Sequence, residues 1–275
     1  MVRHLAIVLG SILSIDAVIP SGPGADDRWQ RIKALFSAAM NEPADERDAW
    51  LREAADGVDA DRMVEIVKEG LALYPKDAAV YIRPMYWGID GDSTAIVPQE
   101  NSTGFAICLE EIPMAPETAS VTLSTTRFRR PVLESAVVNA KAGCLYPNNA
   151  RMLTEARAKG FANALVADAM GNVAETATSN AFLVKDGVVF TPVPNGTFLA
   201  GITRARHIAN MRGAGIEVHE TVLTFDDFHD ADEVFVSGNM TKLTPVTTFE
   251  ETTYQVGPVT KRIREMYWDW AHSRV

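Results

Sequence analysis

The chain has very few cysteines: Cys108 and Cys144 are the only two among 275 residues, and neither has a metal-ligating neighbour. A disulfide framework and a zinc site are therefore not expected, and a reducing cytoplasm is the simplest setting. The sequence also lacks a run of basic residues, and its formal net charge is −10. An acidic chain of this kind is a poor partner for nucleic acid or for an anionic membrane surface, so we expect neither.

Long apolar runs are scarce as well, and the first twenty residues come nearest to one. The stretch MVRHLAIVLGSILSIDAVIP has a basic start, but Asp16 interrupts it, and a membrane span needs about 20 apolar residues. One interpretation of this stretch is a secretory signal, although no small-x-small cleavage site follows. The other, which we favour, is a buried strand or helix. The sequence contains no P-loop, no GxGxxG motif and no internal repeat.

Hydrophobic periodicity divides the rest of the chain into helices followed by strands. Residues 27–74 read as three helices, and the last of them places Met63, Val67 and Leu71 on one face that we expect to pack in a core. From residue 77 onward, β-branched and aromatic residues alternate or run together, which is typical of strands. The stretch PMAPET, residues 113–118, contains two prolines and reads as a linker.

Turn signals organise the second half of the chain. Gly171-Asn172 and Asp186-Gly187 are tight-hairpin signals, and GITRARHIANMRGAG predicts a helix with Thr203 as its N-cap. Hairpins with interspersed helices predict an α+β fold that is mainly antiparallel. We therefore expect a small N-terminal domain over residues 1–112, a linker over 113–118 and a larger domain over 119–275.

Lys141 is the most informative single residue, because it ends an apolar run in VVNAKAGCLYPNN. A lysine held against apolar surface has a lowered pKa, and a neutral amine forms Schiff bases with aldehydes. Enzymes that use pyridoxal 5′-phosphate (PLP) need such a lysine, together with a carboxylate at the pyridine nitrogen and an anion pocket. Taken alone, Lys141 could equally be a solvated lysine at the end of a strand.

Three further stretches supply the other parts of such a site. Glu175 lies in the otherwise small and apolar VAETATSNAF, so a cationic partner is expected; an arginine in an ordinary ion pair is the alternative to a cofactor. LAGITR, residues 199–204, places free N–H groups at a helix start, which either bind an anion or form a plain N-terminus. SGNMTKLTP is a second polar turn, or simply a hairpin loop.

Together and in this order, these stretches resemble the fold-type IV PLP enzymes, and within them the branched-chain amino acid aminotransferases. The resemblance covers about residues 60–275 and includes the stretches VAETATSNAFLVKDGVVFTP, ADEVFVSGNMTKLTPV and GPVTKRI. It implies a small N-terminal α/β domain, here with an atypical helical start, and a larger pseudo-barrel domain that binds PLP. It also implies a homodimer or a larger homo-oligomer.

The resemblance also implies roles for individual residues. Lys141 matches the Schiff-base lysine, which would also move a proton between the substrate Cα and the cofactor C4′. Tyr146 matches the tyrosine that hydrogen-bonds the ring oxygen, Glu175 the pyridine-nitrogen carboxylate and Leu199 the residue on the ring face. The remaining cofactor contacts would be Gly201, Ile202, Thr203 and Asn239. The substrate contacts would be Tyr81 and Arg83, from the stretch VYIRP, together with Met240.

The chain departs from the family pattern at two places. Asn239 stands where the family usually has a threonine, and the asparagine amide can donate in its place. Residues 1–59 contain neither the segment that begins most family members nor the arginine that contacts the cofactor phosphate. We therefore expect PLP to bind more weakly than in the family, since a charge-assisted contact is missing.

The function that the resemblance implies is PLP-dependent transamination of branched-chain L-amino acids with 2-oxoglutarate, a step of branched-chain amino acid biosynthesis in the cytoplasm. The substrates would be a small amino acid and a 2-oxo acid, and no metal is implied. Other fold-type IV activities stay open: a D-amino acid transaminase, an (R)-amine transaminase or aminodeoxychorismate lyase. An inactive homologue that serves as a scaffold is the non-enzymatic alternative.

Overall fold

A computed structural model describes residues 60–88, 90–94, 96–97 and 103–273, together with the two-residue strand Val8–Leu9. The two helices predicted between residues 27 and 59 lie outside these residues, as does most of the apolar N-terminal stretch. The chain divides into two compact units, residues 1–114 and 115–275. The predicted linker, residues 113–118, spans this boundary, and its role as a linker stays a prediction.

The first unit contains one described helix and a three-stranded sheet. Its elements are β1 (Val8–Leu9), α1 (Ala60–Leu71), β2 (Val80–Gly88) and β3 (Thr103–Glu111). The strand order is β1-β3-β2, in which β3 pairs parallel with β1 and antiparallel with β2. Along β3, Ile107 and Leu109 are buried, and the Tyr74 hydroxyl donates to the Leu109 carbonyl oxygen at 2.9 Å.

The predicted helix and the two strands of this unit are confirmed, but one part of the predicted core stripe is wrong. Met63 and Val67 are half-buried, whereas Leu71 is exposed. Leu71 is the last residue of α1, where the chain leaves the helix, so helical spacing alone does not keep it on the covered face.

The second unit is built on a mixed sheet, in which β12 pairs with β11 beside the main path. The path runs β6-β5-β4-β11-β10-β7-β8-β9. The strands are β4 (Val121–Thr125), β5 (Asn163–Ala167), β6 (Val173–Thr176), β7 (Asn180–Lys185), β8 (Val188–Pro192), β9 (Val218–Thr221), β10 (Glu233–Gly238), β11 (Lys242–Phe249) and β12 (Thr252–Thr253). The helices are α2 (Tyr146–Ala158), α3 (Ile202–Gly213), α4 (Phe225–His229) and α5 (Pro258–His272).

Antiparallel pairing dominates this sheet, as the hairpin signals predict. Within the described residues, β5–β6, β7–β8, β7–β10, β10–β11 and β11–β12 are antiparallel, while β4–β5, β4–β11 and β8–β9 are parallel. The sheet curls, so that β6 lies beside β7 as well as β5. The α+β class with a mainly antiparallel C-terminal sheet is therefore confirmed.

The Asp186-Gly187 hairpin illustrates how local sequence sets this topology. Asp186 has φ 51° and Gly187 has φ 79°, which is the left-handed pair that a tight two-residue hairpin requires. Glycine and aspartate tolerate this conformation better than most residues. The turn places β8 antiparallel to β7, with Lys185 opposite Val188.

Both faces of the central strands are buried, and alternate residues divide between two cores. In β7, Leu183 packs in one core, whereas Phe182 and Val184 pack in the other. The second core includes Ile208 and Met211 of α3 and Ile263 of α5. A third cluster joins Met152 and Ala156 of α2 to Ala164 and Val166 of β5. These packed helices give the sheet a rigid frame on which turns and helix starts are held.

The start of α5 is held by a buried acid from β10. Glu233 is 6% exposed, and its carboxylate accepts hydrogen bonds from the Val259 N–H at 3.1 Å and the Thr260 N–H at 2.7 Å. A Cβ at Gly257 would collide with this carboxylate, so the close approach requires glycine. The arrangement satisfies two of the helix's free N–H groups with a negative charge at the favourable end of the dipole.

Of the helices in the described part of the chain, none is long and apolar enough to cross a membrane.

We predict that Glu233→Ala destabilises the chain by about 1–3 kcal/mol, because it leaves the half-buried Val259 N–H and the buried Thr260 N–H without an acceptor. The free energy of unfolding, measured by urea denaturation at neutral pH, checks this value. Glu251→Ala is the matched control, since Glu251 is exposed. Equal unfolding free energies for the two variants would contradict the capping role of Glu233.

Candidate active site

Lys141 lies in a turn immediately before the short 3-10 helix Gly143–Leu145, which leads directly into α2. The residues before it form turns rather than a strand: the Val138 N–H donates to the Ala136 carbonyl oxygen at 2.8 Å. Lys141 is exposed in this single chain, which differs from the expectation of an amine held against apolar surface. Its position on a turn between packed elements leaves the amine free to reach a ligand.

Glu175, in contrast, lies inside the sheet. It belongs to β6, all four of whose residues are buried, and the glutamate itself is 8% exposed. The expected cationic partner is Arg130, whose Nη2 lies 3.1 Å from Glu175 Oε1. The Asn180 side-chain amide donates to the other carboxylate oxygen, Oε2, at 3.2 Å. The carboxylate is thus held at both oxygens.

Arg130 is shared among several acceptors. It is 5% exposed; its Nη1 donates to Asn149 Oδ1 at 2.6 Å and its Nη2 to the Thr176 carbonyl oxygen at 2.7 Å. Its Nε has no hydrogen-bond partner in the described part of the chain. The backbone N–H of Arg130 donates to the Ala167 carbonyl oxygen at 3.0 Å, which fixes the segment after β4 against β5. Sequence reasoning expected a cation at Glu175 but did not identify this residue.

The pKa of the Glu175 carboxyl is higher than expected for an acid whose charge is fully compensated by an ion pair. Burial raises the pKa of the Glu175 carboxyl to about 7, and the charges of Arg130 and, to a smaller extent, Lys141 act to lower it. An arginine that served this carboxylate alone would favour the charged form and hold the pKa down. Here the guanidinium is also shared with Asn149 and the Thr176 carbonyl, and the cost of burial outweighs the attraction of both cations. A further cationic hydrogen-bond donor would therefore stabilise the charged carboxylate. The influence of Lys141 also places its amine within electrostatic range of Glu175.

The start of α3 carries free backbone N–H groups. The helix begins at Ile202 with Gly201 as an extended N-cap (φ −66°, ψ 141°), and no side chain caps it. The prediction of Thr203 as N-cap is therefore wrong: Thr203 lies in the first helical turn, because the chain already turns into the helix at Gly201. Ile202 is 78% exposed. Uncapped first-turn N–H groups of this kind favour an anion.

The segment before α3 is tied to the acid in β6. The Asn180 amide donates to the Leu199 carbonyl oxygen at 2.9 Å as well as to Glu175. A Cβ at Gly201 would collide with Asn180 Oδ1, so this segment approaches β7 closely only with glycine there. Leu199 is half-buried. The structure thus brings Glu175, Leu199 and Gly201 together around Asn180.

The turn between β10 and β11 lies next to this group. Ser237 pairs with Asn180 across β10 and β7, and the turn begins two residues later, at Asn239. Asn239 and Met240 are exposed in it, and Lys242 Nζ donates to Asn239 Oδ1 at 2.9 Å. Lys242 has φ 61°, which marks where the chain turns back into β11.

The remaining predicted site residues are Tyr146, Tyr81 and Arg83. Tyr146 begins α2 and is 52% exposed. Tyr81 and Arg83 belong to β2 of the first unit, where the Arg83 guanidinium lies 5.9 Å from the centre of the Tyr81 ring and 3.9 Å from Glu110 Oε2. Their substrate roles stay predictions. Among the described residues there is no group of three or more His, Cys, Asp or Glu side chains arranged to hold a metal ion.

Comparison with known proteins identifies the family. Residues 48–249 match the family described as amino-transferase class IV, and the chain belongs to this family. The match starts at residue 48, earlier than the start near residue 60 that the sequence resemblance gave. The fold is that of the fold-type IV aminotransferases, and the chain is similar to their branched-chain members.

Three relatives illustrate the similarity. The crystal structure of an aminotransferase from Brucella abortus bound to the cofactor PLP is 51% identical, has a TM-score of 0.77, and is matched over 91% of this chain and 84% of that one. The probable branched-chain-amino-acid aminotransferase of Aquifex aeolicus is 30% identical over 78% of this chain and 71% of its own length. The branched-chain-amino-acid aminotransferase of Escherichia coli K12 is 40% identical over 46% of this chain, and the match spans only 42% of that enzyme.

We predict that the titration of Glu175 makes the cofactor-free chain less stable as the pH rises. The unfolded carboxyl titrates near 4.5 and the folded one at about 7, so the folded state binds more protons between these values. The stabilising contribution of the neutral carboxyl is full below about pH 4.5 and is lost as the pH rises through about 7.

Unfolding free energies of the wild type and of Glu175→Gln, measured in urea from pH 4.5 to 8, check this prediction. The wild-type value minus the variant value should fall with rising pH. Glu251→Gln is the control, because Glu251 is exposed. A difference between wild type and Glu175→Gln that stays constant across this range would contradict the prediction.

Proposed function

We propose that the chain is a PLP-dependent aminotransferase that transfers the amino group of branched-chain L-amino acids to 2-oxoglutarate. The observation that carries the proposal is the buried carboxyl of Glu175, whose pKa burial raises to about 7 and which lies within electrostatic range of the exposed amine of Lys141. The family match and the names of the relatives support the reaction class. We further propose that the protein acts in the cytoplasm as a homodimer or larger homo-oligomer.

The residues present fit two groups of the cofactor, its pyridine nitrogen and its phosphate. Glu175 offers a buried carboxyl that gains from a cationic N–H donor, which suits the pyridine nitrogen. The uncapped start of α3 offers N–H groups to a phosphate. Gly201 leaves room for the backbone to approach, since a Cβ there would collide with Asn180. An isolated Glu175–Arg130 ion pair would explain the first feature but not the other two.

When bound, PLP supplies an electron-accepting ring and an aldehyde carbon that receives and returns the amino group. The amine of Lys141 would move a proton between the substrate Cα and the cofactor C4′. Glu175 would accept a hydrogen bond from the ring nitrogen and keep it protonated. Ile202, Thr203 and Asn239 would bind the phosphate, Leu199 would contact the ring face, and Tyr146 would donate to the ring oxygen.

The substrate assignment rests on three side chains, Arg83, Tyr81 and Met240, and on the relatives' names. Arg83 of β2 carries a positive charge that suits a substrate carboxylate, and Tyr81 lies beside it on the same strand. Met240 offers an exposed apolar side chain next to Asn239, which suits a branched aliphatic group. The aliphatic class also agrees with the branched-chain names of the relatives from Aquifex aeolicus and Escherichia coli.

We predict that purified protein titrated with PLP develops a near-visible absorption band that L-leucine changes and 2-oxoglutarate restores. Lys141→Ala should remove that band and lower transamination by at least about 100-fold, because the amine both attaches the cofactor and moves the proton. Lys261→Ala, which alters an exposed lysine of α5, is the control and should keep both. The same titration measures the PLP dissociation constant, which we expect to be larger than in the Brucella abortus relative.

A substrate panel separates the proposal from its alternatives. L-leucine, L-valine and L-isoleucine should react, whereas D-amino acids and (R)-amines should not. Reaction with D-amino acids or (R)-amines alone, or lyase activity on aminodeoxychorismate, would contradict the branched-chain assignment. Neither result would contradict the assignment of PLP as the cofactor. A wild-type chain that binds no PLP would contradict the proposed function as a whole.

A further inference from the structure

Asn180 connects parts of the molecule that lie far apart in the sequence. It begins β7, is 6% exposed, and donates from one side-chain nitrogen to Glu175 Oε2 at 3.2 Å and to the Leu199 carbonyl oxygen at 2.9 Å. A side-chain amide has two N–H groups. Both are therefore used, one on the buried acid and one on the segment that leads into α3.

The other side of the same amide faces Gly201. A Cβ at Gly201 would collide with Asn180 Oδ1, so the amide lies directly against the N-cap of α3. Gly201 has a negative φ of −66°, so the requirement for glycine there comes from space and not from backbone conformation. The amide thus sets how closely the start of α3 approaches β7.

The distance between Asn180 and Glu175 is itself held by a tight turn. The Thr176 N–H and the Thr176 hydroxyl both donate to the Ser179 carbonyl oxygen at 2.8 Å, and the Ser179 N–H donates to Thr176 Oγ1 at 2.9 Å. The backbone of Asn180 also pairs with Ser237, just before the β10–β11 turn. The amide therefore has little freedom to follow a moving partner.

Asn180 also belongs to the electrostatic environment of Glu175. The charged groups that act on this carboxyl are Arg130, from the segment after β4, and Lys141, from the turn before α2. Asn180 adds a neutral donor on the oxygen that does not contact Arg130. A hydrogen bond to a charged carboxylate favours the ionised form and is stronger than one between neutral groups.

We propose that Asn180 is a positioning residue of the site, which holds the Glu175 carboxylate and the segment 199–201 in one fixed relation. This inference rests on the proposed function, in which Glu175 contacts the ring nitrogen and the start of α3 contacts the phosphate. One amide would then keep the groups that contact the ring nitrogen and the phosphate at a fixed distance from each other. In this role Asn180 would act through Glu175 and the segment 199–201 rather than by contact with the substrate or the reacting atoms.

Two variants and a matched control test the inference in the full-length chain. Asn180→Ala removes the amide, and Asn180→Asp keeps its size while removing both donors. Asn163→Ala is the control: Asn163 is 7% exposed, begins β5, and donates to Thr178 Oγ1 at 2.9 Å. The Asn163 side chain thus contacts the turn of residues 176–179 but neither Glu175 nor the segment 199–201, so this variant also controls for a disturbance of that turn.

The first measurement is the pKa of Glu175 in the cofactor-free chain, followed by NMR of carboxyl-labelled glutamate and assigned with Glu175→Gln. Asn180→Ala should raise this pKa by about one pH unit, since a hydrogen bond to the charged form is lost. Asn180→Asp should raise it at least as much, because a second carboxyl beside Glu175 adds like-charge repulsion. The second measurement is the dissociation constant of PLP, which both variants should increase by about 10-fold or more. Asn163→Ala should change neither quantity.

Thermal unfolding of all variants separates a general loss of stability from a local effect, because Asn163→Ala also removes a buried amide. If both Asn180 variants kept the wild-type pKa of Glu175 and the wild-type affinity for PLP, the inference would be overturned. If the wild type bound no PLP, the proposed function would fail. The NMR titration would still decide whether Asn180 positions Glu175.

Discussion

The buried carboxyl of Glu175 is the constraint on which the rest of the site depends. Placing an ionisable acid inside the sheet is costly unless its charge is compensated. Arg130 and Asn180 provide part of that compensation, at 3.1 Å and 3.2 Å from the two oxygens. Burial nevertheless raises the pKa of the Glu175 carboxyl to about 7, and the arginine is shared with Asn149 and the Thr176 carbonyl. A further cationic donor that approached this carboxyl would stabilise its charged form.

The sheet topology explains how distant segments meet at this carboxyl. β6 and β7 are joined by a short turn, so Glu175 and Asn180 face each other across it. The helix α3 is then anchored independently of the acid. Arg204 donates to the Pro192 carbonyl oxygen and to Glu220 Oε2, both at 2.9 Å. His207, whose pKa burial lowers to about 4, is neutral near pH 7 and donates from Nε2 to the Lys242 carbonyl oxygen at 3.1 Å.

The two residues proposed for the central chemistry have opposite environments, and this contrast suits their roles. Glu175 is fixed by packing and hydrogen bonds, as a group that holds a ring in one orientation must be. Lys141 is on an exposed turn, where a long flexible side chain can change position during a reaction. Rigid elements on either side of the turn, α2 and the segment of Arg130, are tied together through Asn149. The amine therefore lies at the surface, while the elements on either side of its turn are held together.

Much of the fold could be predicted from local sequence, and the reasons are visible in particular residues. Alternating side chains predicted the strands, and Asp186-Gly187 predicted its hairpin because the preferences of these two residues act within the turn itself. The need of Glu175 for a cation followed from burying an acid among small apolar residues. Sequence reasoning placed the cap of α3 at Thr203, whereas the structure places it at Gly201.

Only the tertiary structure decided which side chains meet. Arg130 is the partner of Glu175, and Asn180 joins that acid to Leu199, because the order of strands in the sheet brings these segments together. No local pattern encodes such contacts, since they depend on how separate elements pack. The sequence by itself therefore determined the elements and the kinds of groups present. Packing decided their distances, and with them the electrostatics of the buried carboxyl.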